Sequence, residues 1–209
     1  MRNLKVAAGL TAAICTMALS AAPALAVHVW EKKVGGTWSE ITTATEAVTE
    51  GNLQLEDSKS TLGAVRVECK IKSTGKIGPG KADSVEKAEA TGCKVVKGTC
   101  GSPTAKAIHL PWTTELTESE GKVRDLIKNS GKGLPGYEVT CTVLIKVTDT
   151  CEGETSAATT NNLTEGIVEE TFDAKSPKAK CSVSKENTGS LEGTLKVKAP
   201  AGAEAVRVS

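Results

Sequence analysis

Aromatic side chains are scarce in this chain: Trp30, Trp38, Trp112, Tyr137 and Phe172 are the only five in 209 residues. A cleft that grips sugar rings is usually lined by aromatics around a carboxylate pair, so the composition speaks against a glycoside hydrolase. Histidine is scarcer still, limited to His28 and His109. A Ser-His-Asp arrangement within the body of the chain would have to use His109, and no GxSxG elbow exists to present a serine. Ser190 in "TGSLEG" stands one place out of register for such an elbow. No CxxC pair occurs either, and a zinc site would want such pairs with histidine close by. These absences predict no catalytic residues, no metal and no cofactor.

Long apolar runs are also missing beyond the N-terminus, where none reaches the ~18–20 residues of a membrane helix. At the N-terminus, Arg2 and Lys5 precede an apolar run from Val6 to Leu19, and "APALA" at 22–26 places Ala24 and Ala26 at small-residue cleavage positions. That is the layout of a secretory signal peptide. Cleavage is expected after Ala26, leaving residues 27–209 with an N-terminus reading "VHVWEKK" and no membrane insertion thereafter. Cys15 lies within the apolar run with Ile14 before it, where a lipoprotein would need a small residue. Without Arg2 and Lys5 the mature chain holds 24 basic against 25 acidic residues, a net charge of −1. That balance gives no basis for nucleic acid as a partner.

Export changes the meaning of the cysteines. Cys69, Cys93, Cys100, Cys141, Cys151 and Cys181 remain, an even number in an oxidising compartment, which reads as three disulfides. "CKVVKGTC" suggests a local Cys93–Cys100 bridge with Gly98 at the turn. The other four allow three connectivities, of which Cys69–Cys141 with Cys151–Cys181 is the one favoured.

The hydrophobic pattern has period two. Val65, Val67, Cys69 and Ile71 alternate with charged residues; Tyr137, Val139, Cys141, Val143, Ile145 and Val147 share one face; Leu191, Leu195 and Val197 share another. Such alternation describes antiparallel strands with one buried face. Gly, Pro, Asn and Ser clusters separate the runs, so the expected fold is all-β, an antiparallel sandwich or barrel-like domain stabilised by disulfides. "TESEGKVRDLIKN" (117–129) is compatible with a helix or a hairpin. A single domain over 27–209 is expected, with the polar, Thr-rich segment 27–60 its least ordered part.

Four motifs look functional and are better read as turns. "GKGLPG" (131–136) satisfies GxGxxG, but a β-alternating run follows where a dinucleotide site needs a helix. "GKIGPGKA" approaches a P-loop, yet Ala82 stands where Ser or Thr would hold magnesium and Pro79 removes an N–H. "NLT" (162–164) is a glycosylation sequon by pattern and reads as a polar hairpin tip. "LPWTT" (110–114) lacks the Gly that a sortase signal requires at Thr114, and no apolar tail follows. Pro111 should instead end or displace a strand, leaving Trp112 to cover core residues such as Val139 or Val143. Trp112→Ala is then expected to destabilise the domain and Thr114→Ala to be neutral.

"HLPWTTEL", following the cysteine pair of "GCKVVKGTCG", resembles a group of uncharacterised secreted bacterial proteins with an LPW-TEL core between cysteines, over roughly residues 60–185. The resemblance implies one secreted, cysteine-bridged domain and no particular activity. Two non-catalytic classes fit the residues. One is a structural or adhesive protein of the cell envelope, with an envelope polymer or protein as partner. The other is a binding or inhibitor module presenting a rigid Cys93–Cys100 loop through Lys94, Val95, Val96 and Lys97, because pre-organisation lowers the ordering cost of binding.

Overall fold

A computed structural model describes residues 27–60 and 63–209; the expected signal peptide, 1–26, lies outside the described residues. Among them are fifteen strands and no helix. The first five are β1 (Trp30–Val34), β2 (Thr37–Glu40), β3 (Thr45–Asp57), β4 (Val65–Ile77) and β5 (Ala82–Lys97). Next come β6 (Thr104–Ile108), β7 (Trp112–Ser119), β8 (Lys122–Lys128), β9 (Gly136–Thr142) and β10 (Lys146–Glu152). The last are β11 (Thr155–Asn162), β12 (Ile167–Phe172), β13 (Lys180–Cys181), β14 (Gly189–Val197) and β15 (Ala205–Val208).

Eight of these strands close into an antiparallel barrel in the order β11-β12-β14-β3-β4-β5-β7-β8. Closure removes the unpaired edges that an open sheet would expose. Residues 117–129 form a hairpin, not a helix. Ser119 pairs with Lys122, and Glu120 (φ 53°) and Gly121 (φ 70°) both take positive φ, as a two-residue type I′ turn requires. The "NNLT" segment lies where β11 turns into β12, with Asn162 opposite Ile167.

A small sheet sits at each end of the barrel. The first, β15-β1-β2, shares a core with the barrel ends through Trp30, Ile41, Ala47, Ile77, Leu116, Val168, Val197, Val206 and Val208. The segment expected to be least ordered therefore supplies three strands and a fully buried tryptophan. Most of the polar residues of 27–45 are exposed or half-buried, while Trp30 and Ile41 are driven into the barrel end. The second, β13-β10-β9-β6, packs Tyr137, Val139, Cys141 and Cys151 against Leu53, Leu55, Val67 and Cys69. The Tyr137 hydroxyl reaches the carbonyls of Glu56 (3.1 Å) and Ser190 (3.2 Å), pinning this cap to β3 and β14.

The three disulfides are Cys69–Cys93, Cys100–Cys141 and Cys151–Cys181. The expected Cys93–Cys100 bridge is not formed, for a geometric reason. β5 continues through Lys97, and at about 3.3 Å per residue residues 93–97 already span roughly 13 Å. Cys93 instead faces Cys69 on the adjacent strand. Glu68 pairs with Lys94 and Lys70 with Thr91, so Gly92 and Cys93 together oppose Cys69 in a bulge, with Gly92 at φ 59°. The expected Cys69–Cys141 pairing is replaced accordingly. Cys141 takes Cys100, brought alongside β9 by the Thr142 N–H donating to the Gly101 carbonyl at 2.8 Å. Cys151–Cys181 is found as expected, joining directly paired residues of β10 and β13. These bridges close loops of 24, 41 and 30 residues, each contributing about 3.5–4 kcal/mol in the chain-entropy model.

Trp112 begins β7 and is half-buried. Its indole N–H donates to the Ile108 carbonyl at 2.8 Å, and its ring packs against the second cap's core. Val143 does not lie beneath it, being 45% exposed at the tip of the β9–β10 hairpin. Trp30 is the better-buried indole, and Trp30→Ala should cost about 3–5 kcal/mol in urea unfolding. Thr37→Ala, at an exposed site on the same cap, should stay within about 0.5 kcal/mol.

Candidate functional site

The strand pattern decides what lines the barrel. Inward positions are Ala47, Thr49, Gly51, Leu53 and Leu55 on β3, with Ile71, Ser73, Gly75 and Ile77 on β4. Across the barrel they meet Thr114, Asp125, Ile127, Thr155, Glu170, Phe172 and Leu195. Many of these side chains are small. An eight-stranded barrel is just wide enough to be filled by side chains or to hold one small ligand, and here a cavity of about 130 Å³ remains.

The cavity reaches the surface along a seam between β5 and β7. Those strands pair only from Ala82–Glu115 to Val85–Trp112, whereas β5 runs on to Lys97. Beyond that point β6 lies beside β5. Ala88, Ala90, Ala105, Ala107 and Trp112 line the cavity there, together with the exposed Glu89 and Lys106.

Three carboxyl side chains enter the lumen nearer the first cap: Asp83 from β5, Asp125 from β8 and Glu170 from β12. The Trp30 indole N–H donates to Asp83 Oδ2 at 3.1 Å. Asp125 accepts from the Thr114 hydroxyl and the Glu115 N–H. Asp83 Oδ1, Asp125 Oδ1 and the Thr155 hydroxyl are buried without a hydrogen-bond partner. Asp83 and Glu170 keep some surface, and it opens onto the cavity. Burial raises all three carboxyls above their ordinary range, with mutual repulsion adding to it for Asp83 and Glu170. Asp125 is pushed up to about 7.

The outer wall shows the opposite behaviour. Glu115, one position along from Thr114, points outward between Lys128 and Lys81, whose hydrogen bonds hold it down at about 2. Arg124, next to Asp125, also points outward. It is buried under residues 173–176, where it bonds to Ser156, Ser176 and Asp173. At the second cap, burial and the Asp57 carboxyl raise Asp149. Burial alone would raise Asp57 too, but hydrogen bonds from Thr188, the Lys59 N–H and Asp149 hold it below its usual range.

The residues singled out as a binding loop are placed differently. Lys94, Val95, Val96 and Lys97 form the exposed end of β5, paired to β4, and no disulfide closes them into a loop. Lys94 lies 2.7 Å from Glu68, and Lys97 lies 3.9 Å from the buried Glu56. His109 is engaged locally: its ring nitrogen Nδ1 lies 2.8 Å from the Leu134 carbonyl and 3.5 Å from Glu152, at a positive-φ corner (59°) before Pro111. Thr114, expected to be neutral, is 5% exposed and faces the lumen. Asp149, Cys151 and Cys181 gather donor atoms within 4.8 Å, but both sulfurs are spent in a disulfide and cannot act as thiolate ligands.

The lumen carboxyls were not singled out in the sequence. Asp83 and Glu170 each sit in a run of polar residues, and only strand pairing tells which of them points inward. "VRDLI" does carry a signal, because Asp125 alternates with Val123 and Ile127. No protein-family model, curated protein or solved structure matches this chain, so the site must be read from its own geometry.

Asp125 gives a pH prediction with a defined sign. Its proton is held in the folded state up to about pH 7 but released in the unfolded chain near its ordinary value of 3.8. The folded state then binds the extra proton, so stability should fall as pH rises from about 4 to 7 and level off above. Asp83 and Glu170, which face it, act in the same direction. Melting curves across that range should show the decline, and Asp125→Asn should flatten it while raising the melting temperature at pH 8. A parent protein that gains stability across this window would contradict the assignment.

Proposed function

We propose that the protein is an exported, non-catalytic binding module whose site is the barrel lumen. The observation carrying this reading is the 130 Å³ cavity, lined by Leu53, Leu55, Ile71, Ile127, Phe172 and Leu195 and reached between β5 and β7. Ligand sites of this kind are concave and largely apolar, with a few polar groups that fix orientation. Three intramolecular disulfides support an extracellular setting. They also hold the second cap and β5 in place beside the mouth, so the site is formed before a ligand arrives, which lowers the cost of ordering on binding. The binding role thus moves from the Cys93–Cys100 segment to the interior.

An envelope-attachment role has one specific observation in its favour. The β9–β10 hairpin tip exposes Val143, Leu144 (96%) and Ile145 (72%). If that tip attaches the protein, Leu144→Ser with Ile145→Ser should move it from the envelope fraction to the medium; unchanged fractionation would end this reading.

The lumen reading is tested with toluene, which is close in size to the benzene that a 150 Å³ protein cavity accepts. At ten times its Kd, toluene should raise the melting temperature by about 3–6 °C. Ala90→Phe, which places a ring at the mouth, should abolish the shift without unfolding the protein. No shift in the parent, or an equal shift in the variant, would count against the lumen as the site.

A further inference from the structure

We infer that the ligand is a small organic amine, bound as its cation with the nitrogen among Asp125, Asp83 and Glu170 and its apolar body toward Phe172 and Leu53. This rests on the lumen being the binding site and adds the chemistry of what it holds.

Several polar atoms facing the lumen lack a hydrogen-bond partner. Asp125 and Thr155 are 5% and 9% exposed and line the cavity, yet Asp125 Oδ1 and the Thr155 hydroxyl have no partner. Asp83 Oδ1 is in the same condition. Buried polar atoms left unpaired are costly and rare in native proteins. A bound cation would favour the ionised form of the three facing carboxyls, and an ionised carboxylate accepts the hydrogen bonds that such a partner donates.

Charge narrows the class. The inward positions of the eight barrel strands carry Asp83, Asp125 and Glu170, with Asp57 at the far end, and no Lys, Arg or His among the described residues. Arg124, the nearest buried cation in sequence, points outward and is already bonded to Ser156 and Ser176. The lysines of the cavity lining, Lys76 and Lys106, are exposed and paired with Glu86 and Glu138, so an anionic ligand beside the three carboxyls would meet repulsion with little to offset it. A cation with several N–H groups would supply both the charge and the donors, and charge-assisted hydrogen bonds are the stronger kind.

A bare metal ion fits less well. A calcium or magnesium site needs oxygens converging on one point at 2.0–2.6 Å. Among the described residues the only group of three or more acidic, His or Cys donors within 4.8 Å is the disulfide-bonded set around Asp149. The lumen carboxyls are spread more widely, as suits an ammonium group whose N–H bonds diverge. Size sets the body: about 130 Å³ matches one ring or a short alkyl chain.

Calorimetric titration at pH 7 with benzylamine, benzyl alcohol and benzoate tests this. Benzylamine should bind at least tenfold more tightly than benzyl alcohol, and benzoate should show no binding. Asp125→Asn should weaken benzylamine at least tenfold and affect benzyl alcohol far less. Glu170→Gln provides the same contrast if the first variant folds poorly. Equal affinity for the amine and the alcohol would overturn the amine assignment while leaving the lumen site standing, and so would preference for benzoate. Binding of none of the three would overturn both.

Discussion

Closing eight strands fixes the width of the barrel before any side chain is chosen, and the inward side chains here are too small to fill it. Gly51, Gly75, Ala88, Ala90, Ser73, Thr49 and Ala157 stand where a packed barrel would carry larger aliphatic groups. Three of the inward glycines, Gly51, Gly75 and Gly193, are also required by the backbone, Gly75 because a Cβ there would run into the Ser84 carbonyl. A Cβ on Gly51 would run into the Thr194 carbonyl, and one on Gly193 (φ 136°) into that of Asn52, where β14 and β3 approach closely. The scarcity of aromatics, which first spoke against a sugar-gripping cleft, has a second consequence. Few large side chains are left to occupy the interior.

Such a barrel needs its ends closed, and a buried aromatic stands at each of them. Trp30 seals one end while donating to Asp83, and Tyr137 seals the other while bonding to Glu56 and Ser190. Each combines a large apolar body with one polar handle. All three disulfides involve β5, the loop after it or the second cap, so covalent support concentrates near the mouth. The lumen carboxyls remain far from bulk water, which is why their protons are held so tightly.

The sequence made some of this legible. Period-two alternation marked β4, β9 and β14, and the turn-rich segments marked the connections. It left sandwich and barrel unresolved, because alternation reports which residues share a face and not which strands are neighbours. The disulfides show the same limit. Cys151–Cys181 was found, whereas Cys93–Cys100 was favoured by proximity along a segment that is in fact extended. Thr114 stands between polar neighbours in the sequence, and its burial is imposed by strands distant in sequence. The acidic lumen depends on register: a one-residue slip would turn Asp83, Asp125 and Glu170 to solvent.

The lumen is an under-filled, largely apolar chamber with one acidic end. Xenon, which enters dry apolar cavities without needing a hydrogen bond, tests it directly in pressurised crystals. A xenon atom is expected among Leu53, Ile71, Ile127 and Phe172, away from the carboxyls. A lumen filled throughout by ordered water, or by side chains packed in contact across it, would contradict it.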